Sequence, residues 1–332
     1  MRMNVNEQLP IQQTKAPHPL SDPQQWRPEL DRLIDGSEPF RRISLEVARG
    51  IHSRLIGEGQ PPVAAEITRQ VADLLHGKPF GHPLHPILTD VTIGSWSMGF
   101  VFDLLGLVPG FRSIRKAANL LTWIGILSAG PTAIAGIADY SAIKQNAASY
   151  GAAHGLLNTA ALLCYIRSGV ARVKGDRGTA LLFGAFGFIL ITLSSWLGGD
   201  LVYRHRVGVN HVPEAKLKDW TPIAAMETIP EAKPIRVEID DVPLLVFRQG
   251  ETVHIIGAVC SHAGGPLEEG RVVDGVCIEC PWHQSVFDMR DGRVVHSPAT
   301  YEQPLYEVRV EDGQILARLA TPQKSGSERG VG

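Results

Sequence analysis

A chain of 332 residues, 44% hydrophobic and 20% charged, is long enough for two or three domains. Its formal charge of -2 leaves no electrostatic footprint for nucleic acid. Its four cysteines, at positions 164, 260, 277 and 280, are too few and too unevenly spaced for a disulfide framework and read as reduced thiols or ligands.

Residues 1–28 are rich in Gln, Pro and polar side chains, can bury little surface, and are expected as a mobile tail. No basic stretch followed by an apolar run marks an export signal. Arg41-Arg42 is a twin arginine by letter only, because Glu46, Arg49 and Arg54 break up the apolar run that an export signal needs next. Over residues 29–80, Val63, Ile67, Val71, Leu74 and Leu75 recur at helical spacing among charges. This predicts short amphipathic helices, packed on a core or lying on a membrane surface.

Apolar residues then concentrate within residues 81–211, in four segments: Ile87–Leu107, Ala117–Ala138, Ala152–Val170 and Thr179–Gly199. Each is close to the ~20 residues that cross ~30 Å of hydrocarbon as a helix. Short connections make the four an antiparallel transmembrane bundle, and glycines such as Gly94, Gly99, Gly125, Gly130, Gly136, Gly184 and Gly187 let the helices approach closely. Asp90 and Asp103 lie near the ends of the first segment, where both are expected to reach water.

Residues 212–233 read as a Pro-containing linker. From 234 to 322 the period changes to two, with β-rich runs at Ile235–Ile239, Leu244–Phe247, Val253–Ile256 and Leu305–Val310 and turn dipeptides Asp274-Gly275, Asp291-Gly292 and Asp312-Gly313. This predicts a small antiparallel β domain, followed by a mobile tail over 323–332. The fold class is therefore multi-domain, a four-helix transmembrane bundle followed by a small all-β domain.

Inside the β region the chain reads Cys260-Ser261-His262 and, seventeen residues later, Cys280-Pro281-Trp282-His283. Two soft thiolates and two imidazoles in paired short spacings are transition-metal ligands. Zinc is the competitor, although its finger pattern keeps cysteines with cysteines and histidines with histidines. The mixed pairing resembles the Rieske family, in which two histidines replace two cysteines on one iron of a [2Fe-2S] cluster. The resemblance covers about a third of the chain and extends to Gly264-Gly265-Pro266-Leu267, Gly270, Phe287-Asp288 and the Ser297-Pro298 loop. It implies that Cys260 and Cys280 bind the inner iron, and that His262 and His283 bind the outer iron and face solvent. Ser285 is a candidate for tuning the potential by a hydrogen bond to sulfur. Gln284 departs from the glycine of many members. Gly265 and Trp282 stand where quinol-oxidising complexes carry an extra disulfide, so the resemblance is to the ferredoxin type, with Cys277 a core residue. No domain suited to a mononuclear iron adjoins the cluster segment, so catalysis of the Rieske oxygenase kind is not expected.

His82-Pro83-Leu84-His85-Pro86 and Gly198-Gly199-Asp200-Leu201-Val202-Tyr203 resemble a family of small bacterial membrane proteins known only as a domain of unknown function. An antiparallel bundle brings His82, His85, Asp139, His154, Asp200, His205 and His211 to one membrane face together with the β domain. His85 and His154 are thereby candidates for binding haem b or another metal, against capping of helix ends. The expectation is an integral multi-pass protein of the bacterial inner membrane, with the β domain on the cytoplasmic side. It carries one electron between a reductase and a terminal acceptor. Two alternatives stay open: an oxidoreductase subunit whose bundle binds haem or quinone, and a redox or metal sensor.

Overall fold

The computed structural model describes residues 23–320. The C-terminal tail and all but the last residues of the N-terminal tail expected from the sequence lie outside the described residues. Residues 23–28, assigned to that N-terminal tail, instead open the first helix.

Seven α-helices precede the β region among the described residues. Three are short: α1 (Pro23–Asp35), α2 (Glu38–Leu55) and α3 (Pro62–His76). Ser37 caps α2 by accepting from the Phe40 amide, and Gly77 ends α3 in the left-handed region at φ 87°, as helix ends commonly require. Four long helices follow: α4 (Leu84–Leu105), α5 (Arg115–Ser141), α6 (Ala148–Val173) and α7 (Arg177–Tyr203). The last three outrun their expected apolar segments at both ends, because the hydrogen-bonded turns continue into polar residues that hydropathy does not count. Asp176 starts α7 by accepting from the Thr179 amide at 3.1 Å.

The four long helices are inside out compared with a water-soluble bundle. Leu120, Leu127, Leu156, Leu163 and Leu182 face outward, while small residues such as Ala118, Ala135, Ala161 and Ser168 are buried. Glycines fit the aromatic rings between the helices. A Cβ at Gly125 would stand 2.2 Å from the Trp96 indole, and one at Gly187 would stand 2.8 Å from the Tyr165 ring. The two rings stack with centroids 4.1 Å apart. Two helical stretches, 112–141 and 177–203, are long and apolar enough by themselves to cross a membrane.

Asp103 does not reach water as the sequence suggested. It is buried and paired with the Arg172 guanidinium of α6, which also donates to Asn119 of α5 at 2.8 Å. An arginine one helix away supplies the counter-charge, which makes burial tolerable.

The β region forms two antiparallel sheets. The larger uses β1 (Thr221–Ala225), β2 (Ile235–Ile239), β3 (Val242–Gln249), β4 (Thr252–Gly257), β9 (Leu305–Glu311) and β10 (Gln314–Leu319), in the order β1-β10-β9-β4-β3-β2. The smaller is β5 (Arg271–Val273), β6 (Cys277–Glu279), β7 (Val286–Asp288) and β8 (Val294–His296), in sequence order. β1 lies within the stretch read as a linker. Its Pro222 is accommodated because the strand is at an edge and bulges between Pro222 and Ala224. β2 turns into β3 through Asp240-Asp241, both at positive φ, and β9 turns into β10 through Asp312-Gly313 at 50° and 77°, the tight turn that matches strand twist.

β3 is buried on both faces. Leu244 and Val246 pack with Ile255, Tyr306 and Ile315 in one core, whereas Leu245 and Phe247 pack with Ile256, Ile278 and Phe287 in the other. Cys260 and Cys280 belong to the second core, so the motif's sulfurs are set in its apolar layer.

Replacing Arg172 by Leu leaves a buried carboxylate without its counter-charge and should destabilise the helical region by about 3 to 5 kcal/mol. The measurement is thermal unfolding of the full chain in detergent. The Asp103→Leu/Arg172→Leu double variant should recover much of the loss.

Candidate functional site

Two loops project from the β region toward one another. The first follows β4 and carries Cys260, Ser261 and His262; the second joins β6 to β7 and carries Cys280 to Ser285. Their backbones share one hydrogen-bonding plan. Cys260 N–H donates to Gly265 O at 2.8 Å and Gly264 N–H to Cys260 O at 2.9 Å; Cys280 N–H donates to Ser285 O at 2.8 Å and Gln284 N–H to Cys280 O at 3.0 Å. The plan needs a left-handed residue four positions after each cysteine. Gly264 supplies it at φ 84° and Gln284 at φ 59°. A non-glycine residue pays about 1 to 2 kcal/mol of strain there, which the surrounding loop bonds offset.

The loops bring the four motif side chains together. The amides of His262 and Ala263 point at the Cys260 sulfur, and those of Trp282 and His283 at the Cys280 sulfur. The sulfurs also hydrogen-bond each other, which holds the Cys280 thiol below the ordinary thiol range and raises that of Cys260. The rings of His262 and His283 meet at right angles, 5.0 Å between centroids. Burial, and then the neighbouring His283, push the His262 imidazole well below its ordinary value; burial, and then His52, lower that of His283 to about 4. Both rings are therefore neutral near pH 7, with a lone pair to offer. Both Nδ1 atoms are buried without any hydrogen-bond partner, and such orphans are costly unless something absent from the protein atoms satisfies them.

This donor set fits a two-iron cluster better than a lone zinc ion. Among the described residues, no three His, Cys, Asp or Glu side chains converge on one point, as a tetrahedral zinc site requires. The two sulfurs pair with each other within the second core and the two rings pair with each other, a grouping that suits an object with two ends. The cradle is also tight: a Cβ at Gly265 would come within 2.9 Å of the Cys280 sulfur and 3.1 Å of the Trp282 ring. Ser285, fully buried, accepts from the Ala299 amide at 3.0 Å, which ties the second loop to the Ser297-Pro298 loop and leaves the hydroxyl proton free to point elsewhere. Cys277 is buried in β6 and is a free cysteine.

The histidine tip does not stand open to solvent. Both rings are half-buried, and the His283 ring meets that of His52 on α2, with centroids 6.2 Å apart at 88°. The helices α2 and α3 cover the tip because α3 grips the adjoining loop. Asp73 accepts from the Ser297 amide at 2.7 Å, lies 3.2 Å from His296 Nδ1, and pairs with Lys78 at 3.0 Å. Burial alone would raise the Asp73 carboxyl. Hydrogen bonds from His296, the Ser297 amide and Lys78 overcome this and hold it down to about 2. Arg69 lies 3.5 Å from Glu279, and the His211 amide donates to Ser261 O at 3.0 Å. Of these partners only His211, in the segment after α7, is among the residues the sequence singled out. No local pattern marks His52, Arg69 or Asp73.

The speculative pair His85 and His154 is also brought together, with centroids 6.3 Å apart. His85 Nδ1 lies 2.9 Å from Thr132 O, His154 Nδ1 lies 2.8 Å from Ser194 O, and Asn158 lies 3.0 Å from His154 Nε2. Helix backbone packs directly on both rings at Gly136 and Gly198, and this arrangement lends no support to a haem. Of the other polar residues of that end, His76 lies 3.1 Å from Asp139, Lys144 lies 2.8 Å from His211, and Asp200 pairs with Arg27, while His205 Nε2 is buried without a hydrogen-bond partner.

Residues 219–311 match the model of the Rieske [2Fe-2S] domain, and residues 81–211 that of a predicted membrane protein family, DUF2231. The chain is 37% identical over 102 residues to the ferredoxin subunit of anthranilate 1,2-dioxygenase from Burkholderia cepacia, covering 31% of this chain and 94% of the relative. It is 32% identical over 95 residues to the 3-phenylpropionate/cinnamic acid dioxygenase ferredoxin subunit of Escherichia coli K12, covering 29% and 89%. Among solved structures, the ferredoxin of carbazole 1,9a-dioxygenase from Nocardioides aromaticivorans IC177 is 29% identical, covering 30% of this chain and 96% of that one, at a TM-score of 0.29.

Asp73→Asn should loosen the contact between α3 and the β region, leaving buried donors poorly paired at a cost of about 1 to 3 kcal/mol. The native carboxylate, with its lowered pKa, gives its full contribution above about 3.8 and loses it as pH falls through about 2. The stability difference between native chain and variant, read from unfolding midpoints, should therefore be constant from pH 7 to 5 and shrink on further acidification.

Proposed function

We propose, given that the chain belongs to the Rieske [2Fe-2S] family through residues 219–311, that it is a membrane-anchored electron carrier. Cys260 and Cys280 would hold one iron of the cluster, and His262 and His283 the other, through Nδ1. The observation that carries the reading is the pair of buried Nδ1 atoms without hydrogen-bond partners, on two rings 5.0 Å apart in the same loops that carry the two paired sulfurs. When bound, such a cluster supplies one-electron uptake and release.

The chain's own residues supply the setting. Backbone amides directed at both sulfurs compensate thiolate charge inside an apolar layer. Ser285 has its oxygen committed to Ala299, so its proton is free to be donated to a cluster sulfur and would favour the reduced state. The apolar second core excludes water from the inner side, which leaves the histidine tip as the electron's way in and out.

Membrane anchorage is supported by the outward-facing leucines of the long helices, by the two stretches of sufficient length and apolarity, and by the match of residues 81–211 to a predicted membrane family. On this reading the four long helices form a multi-pass bundle in a bacterial inner membrane, with the β domain on the cytoplasmic side. The named relatives are ferredoxin subunits of dioxygenases, and by analogy a reductase donates to this chain and a terminal acceptor receives from it. The contact of His283 with His52 favours a second route, in which the electron passes through the helical region as part of a larger oxidoreductase.

The full chain, purified anaerobically in detergent and reduced, should show the rhombic low-temperature EPR signal of a histidine-ligated cluster, with iron and sulfide in equal amounts. His283→Cys should alter that signal. Stoichiometric zinc with a silent reduced sample would refute the proposal. Ser285→Ala should keep the cluster and lower its potential in a redox titration. An unchanged potential would mean that the hydroxyl serves only the Ala299 amide.

A further inference from the structure

Helix α3 has its polarity reversed. Arg69, Asp73 and His76 turn inward, to Glu279, the Ser297 amide and Asp139 respectively. Val63, Ile67, Val71 and Leu74 are exposed by 76, 57, 51 and 50%. At 100° per residue these four fall within an arc of about 80°, so they form one stripe along one side of the helix. An amphipathic helix at a protein surface presents the opposite arrangement to water, and a row of branched aliphatic side chains this exposed marks an interface.

Exposed apolar residues also follow the helix. Phe80 in the connection is exposed, and Ile87 and Val91 in the opening turns of α4 are exposed by 46 and 51%. Only residues 77–83 separate α3 from α4, and the two helices touch. The apolar stripe of α3 thus belongs to a helix packed directly against one whose own exposed face is apolar.

We infer that α3 lies in the headgroup boundary of the bilayer, its Val63-Ile67-Val71-Leu74 stripe among the acyl chains and its polar side carrying the β domain. This inference rests on the membrane reading of α4–α7. Lipid is the occupant because the helix that carries the stripe packs against one whose exposed apolar face would already be in lipid, whereas a protein partner would need a surface bounded from that face. A helix so placed gains from burying apolar area at the interface. It also fixes the height of the histidine tip, since Asp73 and Arg69 hold the β region from the same helix.

The test uses the full chain reconstituted in vesicles of phosphatidylethanolamine and phosphatidylglycerol, with the photoreactive residue p-benzoylphenylalanine placed at position 67 or, separately, at position 127. Leu127 is 73% exposed in the middle of α5 and reports on the bundle alone. After illumination, mass spectrometry should find lipid adducts at both positions. Lipid adducts at 127 with none at 67, or adducts at 67 that join two copies of the chain, would overturn the placement of α3 and leave the bundle reading standing. An absence of lipid adducts at 127 would overturn both.

Discussion

Two short loops built on the same pair of backbone hydrogen bonds hold a thiol and an imidazole each, and the site exists only while these loops face one another. Each cysteine amide reaches the carbonyl five residues on, and each cysteine carbonyl takes the amide four residues on. Each loop is therefore closed by its own backbone. The smaller sheet and the second core fix their separation, because Ile278 and Phe287 flank the second loop while Ile256 and Ala258 precede the first. The preformed site leaves two imidazole nitrogens unsatisfied, and that local cost is what a bound cluster would remove.

The part of the site written in consecutive residues was legible in the sequence. Cys260, His262, Cys280 and His283 lie within two turns of chain, so their spacing shows directly which side chains share a loop. Longer strands such as β3 and β9 were legible as β-rich runs between turn residues. The three-residue strands β5 to β8 were not, since three residues cannot display a period of two, and β1 was hidden by its proline. The cover over the histidine tip was illegible for another reason. His52 and Asp73 meet partners more than 200 residues away, and nothing near them in sequence distinguishes them from other helical polar residues. Asp103 is similar, because its neutralising arginine lies on another helix.

Polarity is inverted twice in this chain, once in the long helices and once in α3. In the long helices it places leucines outward and serine, threonine and alanine inward, where a histidine pair, a Trp-Tyr stack and a buried ion pair are accommodated. In α3 it frees a charged side to bind the β region. Electrostatic contacts, weak when exposed to water, become strong at Asp73 because that carboxylate is buried and receives hydrogen bonds from three directions.

The cover over His283 is covalently part of the same molecule. A cover carried by the same folded chain gives up no translational or rotational freedom on docking, so even modest contacts keep it in place. A diffusing protein that reached for the same imidazole would have to outcompete that occupant at every encounter. A partner that docks on the histidine tip would therefore meet α2 first, at the His52 ring.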